Sequence, residues 1–218
     1  INQDPPVDAS DIATGKYQVT ANSSSNAGVS RETDDKATSI NKFASADKAT
    51  GAFLYDYNFN LPNGRNNLSP SLNLSYNSND KSNDSIVGYG WSLDIPSIKR
   101  VNKRGTDKLY SSRDFTSSLS GELVDRVDIN NYFEAKVDNG DFLRYTYVND
   151  DSWIAVDKMG TKYTFGKSTS ARKDDPNDSS HVYEWMLEEV RDTNDNFIRY
   201  EYFKNNGQIY PSEIFYTG

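Results

Sequence analysis

From residue 53 the chain alternates. Phe53, Tyr55, Tyr57, Phe59 and Leu61 share one parity, with Asp56, Asn58 and Asn60 between them, which is the spacing of a strand with one apolar face. A second run sets Leu68, Leu72, Leu74 and Tyr76 against Ser71, Asn73 and Ser75. Between the two stands "LPNGR", 61–65, in which Asn63-Gly64 readily takes the positive φ angles of a tight turn, so a hairpin is expected. Arg65 beside that glycine leaves an anion-binding loop as the other reading. Next, "IVGYGWSLDIPSIKR" alternates Trp91, Leu93 and Ile95 before Pro96 ends the run. Gly88 and Gly90 predict a bulge or a close backbone approach beside a buried Trp91. If that indole is buried, Trp91→Ala is expected to cost about 3–5 kcal/mol.

The second half carries a degenerate repeat. "DNGDFLRYTY", 138–147, and "DTNDNFIRYEY", 192–202, share an acidic turn followed by Phe, an aliphatic residue, Arg, Tyr, any residue and Tyr. "VDKMGTKYTFG", 156–166, repeats the logic, with Gly160 at the turn and Tyr163 and Phe165 alternating after it. The expected fold class is all-β: antiparallel stacked hairpins in a meander that bury a shared face. "VYEWMLEEV", 182–190, could be helical, but Tyr183, Trp185 and Leu187 alternate and a strand is expected. Residues 1–50 carry small polar residues and isolated apolar ones, and read as an extended arm or linker preceding a β-rich module over 53–218. The chain closes on the strand-like "SEIFYTG", and a longer natural polypeptide is expected.

Composition adds 15 Tyr, 10 Phe and 3 Trp, which supports strands, and no Cys, which removes disulfides and thiol chemistry. The net charge of −8, with "KRVNKR" at 99–104 as the one long basic cluster, disfavours nucleic acid as a partner. No apolar stretch reaches the length of a membrane-spanning helix.

Candidate chemistry is sparse. His181 is the one histidine, beside Asp178, Ser179 and Ser180, but neighbours in sequence do not make a triad. Zinc lacks its usual ligands. Asp192, Asn194 and Asn196 match the first ligand positions of an EF-hand loop, but Phe197 and Phe203 stand where Gly and Glu are required; a surface calcium ion and an Asx-rich turn are the two readings. Glu188 with Glu189, or Asp174 with Asp175, could serve glycoside hydrolysis only if folding set them across a cleft. Trp91, Trp153 and Trp185 could stack on sugars or supply the core of stacked hairpins.

The blocks "LPNGRNNLSPSLNLSYNS" and "VGYGWSLDIPSIKR", with "LSGELV", "DKMGTKYTFG", "DTNDNFIRYEY" and "IFYTG" after them, resemble the amino-terminal region shared by toxin-complex B subunits and the SpvB-type Salmonella plasmid virulence protein, linked to the Rhs and YD-repeat superfamily. Asn67 stands where that family often has Gly. The resemblance implies a β-rich wall segment of a secreted or cell-surface shell that encloses a toxin polypeptide, with downstream repeats or other subunits as partners, no enzymatic activity of its own and no cofactor. The family's ADP-ribosyltransferase domain would lie downstream. The expected scaffold residues are Gly64, Arg65, Pro70, Tyr76, Gly90, Trp91, Trp153, Gly160, Tyr163, Trp185, Tyr200 and Tyr202. The alternative is an extracellular carbohydrate-binding or adhesion module with a glycan partner.

Overall fold

The computed structural model describes residues 44–81, 85–149 and 151–216. The arm expected over 1–50 lies outside the described residues up to Phe43. Its last part enters a sheet: β1 (Ala44–Ala46) pairs antiparallel with β2 (Phe53–Asn58), which pairs with β3 (Asn73–Asn77) and then β4 (Trp91–Leu93).

The remaining strands are β5 (Ser97–Arg100), β6 (Phe115–Ser117), β7 (Gly121–Asp125), β8 (Tyr132–Ala135), β9 (Arg144–Val148), β10 (Ser152–Val156), β11 (Lys162–Phe165), β12 (Arg172–Asp175), β13 (Asp178–Arg191), β14 (Phe197–Asn205) and β15 (Gln208–Tyr216). β5 to β11 run as an antiparallel meander. β13 then pairs with β5 over Glu184–Met186 and with β11 over Leu187–Arg191, closing an eight-stranded barrel. The fold is all-β, and the stacked hairpins close on themselves. "VYEWMLEEV" is part of a strand, with Trp185 and Leu187 buried and Tyr183 exposed.

Eight strands enclose a space that side chains just fill. Alternate positions point inward: Phe115, Phe133, Tyr147, Trp153, Phe165 and Trp185 are all buried. Tyr147 stacks on Trp153 with centroids 4.5 Å apart, Phe115 meets Trp153 edge-on at 4.8 Å, and Trp153 meets Trp185 at 6.1 Å. Trp185 Nε1 donates to the Asp151 carbonyl at 2.8 Å. Arg100 lies against this cluster, its guanidinium 5.1 Å from the Phe115 ring and 5.4 Å from that of Trp185, while Nε donates to the Val182 carbonyl at 2.8 Å. The outward positions carry Lys99, Glu122, Glu134, Arg144, Lys162 and Glu189. Charge outside and aromatics inside is the reverse of a barrel that faces lipid.

The repeat is real at the level of its turns. In each, an aspartate side chain takes the backbone N–H groups two and four residues on: Asp138 from Gly140 and Phe142, Asp157 from Met159 and Thr161, Asp192 from Asn194 and Asn196. At 157–161 and 192–196 the fourth residue has positive φ, Gly160 at 85° and Asp195 at 64°. The strands that follow bury Tyr145, Tyr147, Tyr200 and Tyr202, and leave Tyr163 half-buried.

Two expectations change. β2 and β3 are not joined by a tight turn at Asn63-Gly64. Gly64 has φ −76°, and the positive values fall on Asn66 and Asn67, at 53° and 59°, in a single 3-10 turn over Arg65–Asn67. The loop cannot close tightly because its hydrophobic residues are drawn to the barrel: Pro70 is buried, and Leu68 and Leu72 pack against the core. Trp91 is half-buried, held between Tyr76 at 5.1 Å and Tyr55 at 6.1 Å.

The cavity left by Trp185→Ala is therefore expected to cost about 3–5 kcal/mol, and Trp91→Ala only about 1–2 kcal/mol. Urea midpoints of the two variants check the order; a larger loss at Trp91 would contradict the packing.

Candidate interaction face

Each candidate for chemistry is absorbed by the fold. His181 stacks flat on Tyr110, centroids 4.2 Å apart, and its Nδ1 lies 3.4 Å from Asp178 Oδ2. The Ser180 hydroxyl donates to Asp178 at 2.6 Å, not to the imidazole. The imidazole does not accept the Ser180 proton, so these residues lack the serine–histidine hydrogen bond that a nucleophilic triad is built on.

The carboxylates are similarly engaged. Glu188 accepts the Ser168 N–H at 2.9 Å, Glu189 accepts from Arg191 at 2.8 and 3.1 Å, and Asp174 pairs with Lys204. The hydrogen bonds from Arg191 hold the Glu189 carboxyl below its ordinary pKa, the opposite of what a general acid requires. Glu188, Glu189, Lys162 and Lys167 line a groove of about 630 Å³ where β14 leaves the barrel wall. Tyr200 and Tyr202 border it but are buried, so their ring faces are not free to stack on a sugar. Burial raises both phenols, Tyr200 to about 12, and the Tyr202 hydroxyl is spent on the Leu187 carbonyl.

The Asp192 loop is an Asx-headed turn. Besides the two backbone N–H groups, its carboxylate accepts Asn196 Nδ2 at 2.8 Å and Asn66 Nδ2 at 3.2 Å. Among the described residues no group of three or more acidic or histidine side chains is placed to hold a metal ion. The bond from Asn66 also answers the question posed by the glycine–arginine loop: it ties the 61–72 loop to the β13–β14 turn. Arg65 is exposed on that loop.

Among the described residues, one face of the four-stranded sheet is partly exposed. Phe53, Tyr55 and Tyr57 from β2, Leu74 and Tyr76 from β3, and Trp91 and Leu93 from β4 share it by register. Phe53 is 49% exposed, Tyr57 48% and the adjoining Phe59 42%. Gly90 sits under this layer with φ 74°. A Cβ there would lie 2.8 Å from the Tyr76 ring, so glycine lets the β3–β4 turn approach that tyrosine. The rings meet at steep angles, 79° for Tyr55 with Trp91, 87° for Tyr57 with Phe59 and 53° for Tyr76 with Trp91. Tilted rings do not form the flat platform that a sugar ring stacks on, and Trp153 and Trp185 are buried in the barrel. The sequence parity found the aromatic residues of this face. It did not indicate that Phe53 and Tyr57 would stay about half exposed, since burial depends on what packs above.

The family described as SpvB, Salmonella virulence plasmid 65kDa B protein, matches residues 47–214. The chain belongs to this family. It is similar to the mono(ADP-ribosyl)transferase SpvB of Salmonella choleraesuis strain SC-B67, at 25% identity over 64% of this chain and 28% of that protein. The chain thus spans just over a quarter of such relatives, and the transferase domain of SpvB lies outside the matched region. Among solved structures, the N-terminal domain of effector protein SpvB from Salmonella typhimurium strain LT2 is similar at TM-score 0.59 and 22% identity, covering 73% of this chain and 63% of that one. TcdB2-TccC3 is similar at TM-score 0.63 and 19% identity, covering 79% of this chain and 10% of that one. The Photorhabdus luminescens Tc holotoxin pore matches at TM-score 0.59 and 20% identity, over 75% and 9% of the two chains. At these identities the structural likeness establishes the fold.

The hydrogen bonds to Asp192 hold its carboxyl below its ordinary pKa of 3.8. A depressed folded pKa gives stability that is present above about pH 4 and lost as pH falls through the folded value. Asp192→Ala is expected to lower the thermal midpoint by a constant amount from neutral pH to about pH 4, with the deficit shrinking below that. A deficit independent of pH down to 2 would show that the carboxylate is not the source.

Proposed function

We propose that this chain is a structural panel of a larger secreted or surface-exposed toxin-type protein, contributing wall to a shell that encloses or presents a toxin polypeptide. The observation that carries the reading is the barrel itself: β5 to β11 and β13 close on one another, and among the described residues the interior is filled by aromatic side chains. Closure removes the edges along which β-proteins aggregate, and a packed interior resists deformation, which are properties a wall requires. Membership of the SpvB family and a shared fold with TcdB2-TccC3 support the same role, and further segments or subunits of the assembly are the partners it implies.

The native polypeptide carrying these residues is expected to be far longer than 218 residues and to protect an internal segment from added protease. A native product of this length, or one digested throughout, would remove encapsulation. Saturable quenching of tryptophan fluorescence by oligosaccharides would instead favour adhesion.

A further inference from the structure

A cleft of about 640 Å³ lies between β4, with the segment that follows it, and β5, β6 and β13 of the barrel wall. Leu93, Ile95, Leu119 and Met186 make much of its lining apolar. Glu184 of β13 is set into this lining and is only 9% exposed. Its carboxylate has one ion-pair contact, with Lys99 Nζ 3.2 Å from Oε1, and among the described residues it accepts no hydrogen bond. Ser97 of β5, 5% exposed, gives its N–H to Ser118 Oγ at 2.9 Å, while its own hydroxyl has no partner among the described residues. Register sets Glu184 opposite Lys99 and Ser97 opposite Met186, so the carboxylate and the hydroxyl stand on one face of adjacent strands, diagonal to each other. Buried carboxylates and hydroxyls are nearly always supplied with hydrogen bonds, and a concave, mainly apolar site with a few convergent polar groups is the form that small-molecule sites take.

We propose that this cleft binds a small organic monocation, a primary amine carried on a compact apolar body. The ammonium donates to the Glu184 carboxylate and to Ser97 Oγ, and the body lies against Leu93 and Met186. Other ligand classes leave one of these features unanswered. The charged side chains lining the cleft are Asp94, Lys99 and Glu184, two carboxylates against one ammonium, which disfavours an anion. A neutral apolar ligand would cut Glu184 off from water and return no hydrogen bond, which is costly for a charged group. For an inorganic cation the ligands are too few, since among the described residues no three acidic or histidine side chains converge. An organic ammonium supplies the missing donors and fills the apolar remainder of the space. The site is independent of the panel reading and stands whether or not the chain forms part of a shell.

The test titrates hexylammonium into the 218-residue chain at low salt and follows backbone amide shifts by NMR, with hexanol and hexanoate as the neutral and anionic counterparts. Saturable shifts are expected at Ser97, Lys99, Thr116 and Met186, with hexanol and hexanoate binding about tenfold more weakly or less. Glu184→Gln keeps the side-chain shape and removes the charge, and is expected to weaken hexylammonium about tenfold. Glu134→Gln, on β8, where the carboxylate pairs with Arg126, should leave binding unchanged. Should Glu184→Gln fail to fold, Ser97→Ala takes its place, with an expected loss of about threefold. Absence of saturation, shifts centred away from the cleft, hexanol binding as tightly as hexylammonium, or full affinity in the folded variant would each overturn the proposal. Protease protection of an enclosed segment is read on the native polypeptide and does not depend on the amine, so the panel reading and the cleft fail separately.

Discussion

Fourteen consecutive residues of β13, Asp178–Arg191, determine whether the strands form an open meander or a barrel. One edge of this strand takes β12 and then β11, and the other takes β5 and then β14. The strand changes register part-way: Thr164 faces Glu189 but Phe165 faces Leu187, leaving Glu188 as an extra residue. Such a bulge bends and twists the strand, which curves the sheet enough to close. Trp185 sits on the closing segment, paired with Ile98 of β5 and aimed into the barrel, so closure and core filling are a single event.

The core is aromatic for a geometric reason. An eight-stranded barrel leaves room for rather few inward side chains, and large flat rings meeting edge to face fill that volume while gaining favourable quadrupole contacts. The cost is that polar ring atoms must find partners inside. Trp185 reaches the Asp151 carbonyl, and the Tyr145 hydroxyl donates to Ser117 at 3.1 Å. Trp153 Nε1 has no hydrogen-bond partner among the described residues and is surrounded by the rings of Phe115, Phe133 and Tyr147. The polar atoms that a functional reading would claim are used in the same way, to satisfy the fold: Asp192 organises a turn, Glu189 holds Arg191, and Asp178 holds Ser180.

The contrast between two Asn-Gly pairs shows how far local sequence reaches. Asn206-Gly207, not singled out in the sequence, makes a two-residue turn with φ of 49° and 78° between Asn205 and Gln208, because β14 and β15 pair along their whole lengths. Asn63-Gly64 was expected to do this and does not, because Leu68 and Leu72 between the strands pack against the barrel core. The same dipeptide gives a turn only where the flanking strands are free to pair next to it.

The sequence by itself determined the all-β class, the parity of the strands, the Asp-headed turns and the buried tyrosines of the repeats, all of which follow from side-chain alternation and hydrogen bonds within about five residues. It also carried the family likeness in its two opening blocks. Tertiary structure alone decided that the meander closes, that Trp153 and Trp185 lie inside while Trp91 stays half-exposed, and that the His181 and paired-carboxylate candidates have structural partners. Those outcomes depend on which distant strand packs against each residue, and alternation, which marks a face as apolar, is silent about what covers it.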